Sequence, residues 1–136
     1  YIYGPYSQQV EKVLYTMNGH YLNGLEQLNH KPFEPLVLNY ERYSELEEYI
    51  EKNLDYGQKD RLKRLFEIIR GFETALSLEV LASVDYLLRK EPGIHLEELT
   101  KKIKEWNTRK SSVIKKEHVN VAFHHLKEYG TRLEFA

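Results

Sequence analysis

Apolar residues recur at helical spacing through most of this chain, and that periodicity predicts a mainly α-helical fold. Val10, Val13, Leu14 and Met17 form the first stripe, behind Ser7, whose hydroxyl can cap the helix. Gly19 is expected to end or kink it. Residues 29–40, NHKPFEPLVLNY, hold two prolines and a short β-like run, so a loop and one strand are expected there. Ser44 and Glu47 have capping-box spacing, and Leu46, Tyr49 and Ile50 then mark an inward face. A helix over 58–70 would turn Leu62, Leu65, Phe66 and Ile69 inward and stop at Gly71. Residues 77–90 are apolar nearly all round, which predicts the central helix. After a Pro92–Gly93 turn, Leu96, Leu99, Ile103 and Trp106 lie on one helix. NTRKSS then reads as a polar linker. Val119, Phe123 and Leu126 face inward from a last helix that Gly130 ends, and TRLEF reads as a short strand.

The expected architecture is therefore a compact, mainly α domain over 1–136. A helical part, 1–72, precedes a winged-helix-like half, 73–136, with one or two short β-strands. The length suffices for one modest core. The absence of cysteine excludes disulfides and thiolate metal sites. No apolar run approaches the roughly 20 residues that span a bilayer, and no signal peptide is visible. A cytoplasmic protein without membrane contact is the expectation. With Tyr rather than Met as its first residue, the chain is expected to be a piece of a longer protein.

A net charge of −1 conceals an asymmetry. Residues 34–55 hold seven carboxylates against two basic side chains, and 101–116 hold seven basic side chains against one glutamate. Such a division marks two different surfaces. The basic run, with Trp106 and Arg109, could face a nucleic-acid backbone. A solvated basic face accounts for it equally well. Glu117 and Glu128 beside Asn120, His124 and Lys127 argue against base reading by the last helix.

In the acidic run, Glu47, Glu51 and Asp55 fall at i, i+4 and i+8, and Glu41, Glu45 and Glu48 at i, i+4 and i+7. Helical neighbours at those spacings sit about 5–6 Å apart between Cβ atoms, close to the separation of successive phosphates on an extended single strand. A solvated acidic face is the equal alternative. Eleven tyrosines, concentrated at the start and through the acidic run, suit either an interface or a core margin. The six histidines lack metal-ligand spacing and read as exposed or rim residues, so no metal is expected. Nucleophile elbow, P-loop and dinucleotide fingerprints are also missing, which argues against an enzyme and against a cofactor.

Five motifs occur in order: YGPY (3–6), GHYLNG (19–24), KPFEPLVL (31–38), GFET with LEVLASV (71–84) and WNTRK (106–110). Together they resemble the C-terminal, toxin-binding domain of the DarG antitoxins of DarT–DarG toxin–antitoxin systems. The resemblance runs over essentially the whole chain. It implies a non-enzymatic module that binds and inhibits a DNA ADP-ribosyltransferase toxin. In that family an N-terminal macrodomain, lacking here, removes the ADP-ribose. The resemblance also makes Gly4, Pro5, Gly19, His20, Gly71, Phe72, Glu73, Trp106, Asn107, Arg109 and Lys110 motif positions, either contacts or structural. Trp106 is expected in the core.

With the charge pattern, this reading makes Tyr3, Tyr6, Tyr21, Tyr43, Glu45, Glu47, Glu48, Glu51 and Asp55 the candidate toxin-binding residues. They would imitate single-stranded DNA, carboxylates standing for phosphates and tyrosine rings for stacked bases. The rival expectation is a winged-helix DNA-binding, operon-regulating domain with DNA as a secondary partner.

Overall fold

A computed structural model describes residues 4–25 and 35–134, with side chains to residue 130. Seven α-helices and one two-stranded antiparallel sheet make up the described chain. The helices are α1 (Gln8–Met17), α2 (Tyr43–Asn53), α3 (Tyr56–Ile69), α4 (Ala75–Lys90), α5 (Leu96–Trp106), α6 (Thr108–Val113) and α7 (Lys116–Glu134). The strands are β1 (Leu22–Asn23) and β2 (Val37–Leu38), with Leu22 opposite Leu38 and Asn23 opposite Val37. The chain divides into two units: Ser7–Asp60, and the N-terminal residues to Tyr6 together with Arg61 onward. Among the described residues no helix is long and apolar enough to cross a membrane.

The second of these units holds a continuous core. Val80, Leu81, Val84 and Leu87 of α4 pack with Leu99 and Ile103 of α5 and with Val119, Ala122 and Leu126 of α7. Phe72, Ile94 and Ile114 close it between the helices. The expected central helix is thus α4, with five buried residues. Thr74 caps it, its Oγ1 accepting from the Ser77 amide at 3.2 Å. The C-terminal part of α3 is fastened to α7 twice. The His125 ring meets the Ile68 carbonyl at 2.7 Å, and the Tyr129 hydroxyl donates to the Arg64 carbonyl at 2.9 Å.

The Ser7–Asp60 unit is built on turns. Ser7 Oγ accepts from the Val10 amide at 3.3 Å, the expected cap. Asn18 ends α1, and Gly19 follows with φ +76°. The strand β1 then runs to Gly24. There φ is +112°, and a Cβ would meet the Pro35 carbonyl oxygen at 2.8 Å, so only glycine lets the two chains approach this closely.

Several expectations are corrected. NTRKSS is no linker: α6 forms because Asn107 Oδ1 accepts from the Lys110 amide at 2.8 Å. Gly130 does not end α7, and residues 131–134 of the expected strand are helical; Phe135 lies outside the described residues. Both strands lie in the first unit, and among the described residues no wing strand follows α7. Ser44 and Glu47 form no capping box, because a 3-10 turn over Tyr40–Arg42 runs straight into α2 and leaves Ser44 inside the helix. The capping box sits instead at α3, where Asp55 Oδ1 accepts from the Gln58 amide at 2.8 Å and Gln58 Oε1 accepts from the Asp55 amide at 3.0 Å. Tyr49, Leu65 and Phe66 point outward, at 60%, 51% and 58% exposure. Leu46 and Ile50 on α2 and Ile69 on α3 are half-buried as expected, and Ile68 joins Ile69 against the core.

Candidate functional site

Two clusters emerge, one in each unit, and the motif residues divide between them. Tyr3 and Glu34 lie outside the described residues, as does the 31–34 part of the KPFEPLVL motif.

The acidic cluster belongs to Ser7–Asp60. By sequence this unit carries ten acidic against five basic residues, a net charge of −5; the rest of the chain carries the compensating +4. The turn GHYLNG is joined to α2 by Tyr21, whose hydroxyl donates to Glu45 Oε1 at 2.9 Å. Arg42 completes a triad. Its guanidinium lies 3.6 Å from Glu45 Oε2 and 5.7 Å from the Tyr21 ring centre. The bond to Glu45 raises the Tyr21 phenol above its ordinary pKa, since ionisation would set two anions face to face. The Tyr43 phenol is raised in the same way, first by its bond to Glu47.

His20 sits edge-on to Tyr21, and its carbonyl accepts from Asn39 Nδ2 at 3.0 Å. These contacts hold the two sides of the hairpin together beside α2.

The remaining carboxylates are engaged yet outward. Glu48 pairs with Lys52 one turn on. Glu51 Oε2 lies 3.0 Å from Lys59 Nζ, which also donates to the Glu51 carbonyl. The Glu51 side chain nonetheless remains 81% exposed. Asp55 is the α3 cap. Exposed ion pairs of this type are worth about 0–1 kcal/mol, so a stronger cationic surface could take these carboxylates over. Tyr40 and Tyr56, at 75% and 87% exposure, stand among them with Tyr49. Sequence reasoning did not single out Tyr40, Tyr49 or Tyr56 as contacts. The repeated tyrosine beside the acids was the available signal.

The second cluster gathers most of the remaining motifs inside the other unit. Lys110 is fully buried, and its Nζ lies 2.8 Å from Glu79 Oε1 and 3.1 Å from Ser83 Oγ. Arg109 Nη1 reaches both Glu79 oxygens, at 2.7 and 2.9 Å. The Lys110 ammonium stands 5.2 Å from the Trp106 ring centre. Gly4 crosses Ser83 closely: a Cβ there would be 3.4 Å from the Ser83 hydroxyl, at φ +127°.

Residues 4–6 of YGPY, LEVLASV and WNTRK are therefore one assembly. A buried carboxylate on α4 holds two cations from α6, and the N-terminal Gly4 backbone passes over it. Trp106 lies at the core's edge, tilted against Tyr86 at 5.7 Å between ring centres. With Pro5 and Tyr6, both rings line a cleft of about 430 Å³. Glu79 is the residue that sequence reasoning missed, although an acid set among Leu78, Val80 and Leu81 was a visible signal.

At the α3–α4 junction Gly71 has φ +87° and Phe72 is buried against the His125 ring. The Gly71 and Glu73 amides hold the Glu73 carboxyl below its ordinary pKa. Among the described residues no three His, Asp or Glu side chains group as a metal site.

No family model matches the chain. One curated protein does. Over 135 residues the chain is 30% identical to a DNA ADP-ribosyl glycohydrolase from Thermus aquaticus (strain ATCC BAA-2747 / Y51MC23). The match takes in 94% of this chain and 34% of that protein, so the chain spans about a third of the relative's length.

Proposed function

We propose that this chain is the toxin-binding module of a DarG-type antitoxin and inhibits a DNA ADP-ribosyltransferase by occupying its single-stranded-DNA groove. The observation that carries this reading is the outer surface of α2 and its flanks. Glu47, Glu48 and Glu51 stand outward there beside Tyr40, Tyr49 and Tyr56, in a unit of net charge −5. Rows of carboxylates with interleaved aromatic rings match what such a groove recognises, namely phosphates and stacked bases. Charge complementarity of this kind speeds association and selects the partner.

The relative's name supports a link to DNA ADP-ribosylation. We assign its glycohydrolase chemistry to the part of that protein that this chain does not span. The motif residues Gly4, Gly71, Phe72, Asn107, Arg109 and Lys110 serve the scaffold in this reading, while α2 serves the partner in the cytoplasm.

The experiment mixes the chain with a DarT-type enzyme, NAD and a single-stranded oligonucleotide. Stoichiometric, cofactor-free inhibition is expected, because a groove blocker lowers free enzyme by mass action. Combining Glu47→Lys with Glu51→Lys should weaken binding, most strongly at low salt. Unchanged affinity at low and moderate salt rejects the acidic mimic. Removal of ADP-ribose from a pre-modified oligonucleotide rejects the non-enzymatic assignment.

The rival reading, duplex DNA binding by the other unit, draws on the exposed Lys104, Lys115 and Lys116. Against it, Lys102 is committed to Glu91 at 2.6 Å and the expected wing strand is helical. Duplex binding with a steep salt dependence would revive it.

A further inference from the structure

The stripe on α1 has a use that the acidic surface does not supply. This helix has only ten residues and buries none of them. A helix that short is marginal in water unless an apolar face is covered. Its stripe is half-covered at one end, by the positions of Leu14 and Met17, and bare at the other. Val10 and Val13 are 58% and 56% exposed. They lie three residues apart on one face. Neither the Tyr21–Glu45 tie nor the hairpin involves them. Among the described residues of Ser7–Asp60, Leu25 is the single buried hydrophobic side chain, so the unit has little core of its own to order this helix.

We infer that the Val10–Val13 end of α1 is a second docking element, covered by an apolar patch on the same basic protein partner that takes α2. This rests on the reading above and adds to it a hydrophobic contact with its own helix. Charge decides the occupant. A second copy of the chain would set −5 against −5 across the contact, whereas a basic partner meets the unit's field with attraction. Two valines also offer far less than the roughly 800 Å² per partner of a stable homodimer. As one part of a larger interface they suffice. The ends of α1 and α2 then divide the work: α2 steers and selects, and α1 excludes water.

The test compares the wild type with Val10→Gln/Val13→Gln and Val10→Leu/Val13→Leu in binding to a DarT-type enzyme. Glutamine favours helix over valine, so the first variant removes apolar surface without weakening the helix. Neither valine is in the core, and the thermal midpoint of both variants is expected to match the wild type. The glutamine pair should lose about tenfold or more in affinity, mainly through faster dissociation, with an unchanged salt slope. The leucine pair should bind as the wild type. Amide hydrogen exchange on the full chain is expected to show weak protection over 11–17 alone and strong protection in the complex.

Binding with α1 amides still unprotected, or equal affinity of the glutamine pair, overturns the inference and leaves the α2 reading standing. Failure of the wild type to bind overturns both. Sedimentation as a dimer that the glutamine pair dissolves replaces the partner with a second copy.

Discussion

Lys110 Nζ lies 2.8 Å from Glu79 Oε1, thirty-one residues away, and its side chain is fully removed from solvent. That pair joins α6 to α4 and brings the N-terminal Gly4 segment over the core. Its two members are not equivalent. Arg109 remains beside Glu79 when Lys110 is lost, whereas Lys110 and Arg109 lose their common anion when Glu79 is lost.

Glu79→Gln is therefore expected to destabilise by about 3 kcal/mol or more, the cost of an uncompensated buried charge. Lys110→Met keeps the volume and leaves Glu79 paired, and should cost about 1 kcal/mol. Urea unfolding of both variants checks the order. Equal losses would mean that packing around Trp106, rather than charge, dominates.

Gly24→Ala should cost about 1–3 kcal/mol through its left-handed backbone and the clash with Pro35. Gly93→Ala meets no atom within 4 Å and has no positive φ, so it should be close to neutral. Hydrogen exchange at Asn39, whose amide donates to the Tyr21 carbonyl at 2.9 Å, reports the hairpin directly. Faster exchange is expected in the first variant alone.

Asp55→Ala removes one side of the α3 capping box and should destabilise the first turn by about 1 kcal/mol. It also tests a candidate contact. If the loss of affinity for a DarT-type enzyme exceeds that of Gln58→Ala, which breaks the same box, Asp55 touches the partner as well.

Two groups define opposite pH windows. The Glu73 carboxyl titrates below its ordinary value because the Gly71 and Glu73 amides donate to the anion. Its contribution to stability is present above the ordinary carboxylate range and lost as pH falls through the folded value. The Tyr21 phenol titrates above its ordinary value, first through its bond to Glu45. That contribution is present below about pH 10 and lost as pH rises through the folded value. Carbon-13 NMR titration of the two side chains checks both directions. In Tyr21→Phe the alkaline loss attributable to this group should vanish.

How far the sequence could be read follows from what each signal encodes. Periodicity located α4, α5 and α7 well, since Val80, Leu99 and Val119 sit on stripes that only a core can use. It turned Ile69 inward but could not tell that Leu65 and Phe66 stay outside while Ile68 turns in, because an apolar face wider than its neighbour is only partly covered. A lysine in a polar run reads as solvated, so α6 was missed. The carboxylate that buries Lys110 is far away in sequence. Glycine costs about 1 kcal/mol inside a helix, and α7 continues through Gly130 regardless. In the acidic run, spacing placed the carboxylates, but the ties of Tyr21 to Glu45 and Lys59 to Glu51 required the turns before and after α2. Within Ser7–Asp60, the structure thus makes Tyr21 and Asp55 parts of the local framework and sets Tyr40, Tyr49 and Tyr56 outward.

The single tryptophan, standing over the Glu79–Lys110 pair, gives the molecule a built-in spectroscopic division. Six tyrosines and no tryptophan belong to Ser7–Asp60. Red-edge excitation therefore selects an emitter whose ring borders a buried ammonium, and its fluorescence reports only on the unit that carries the core. Tyrosine absorbance sums six rings of Ser7–Asp60 with five of the core unit, so an absorbance transition without a tryptophan counterpart belongs to Ser7–Asp60. A single denaturation run, followed at both wavelengths, separates melting of the scaffold from loss of the α2 surface without any label.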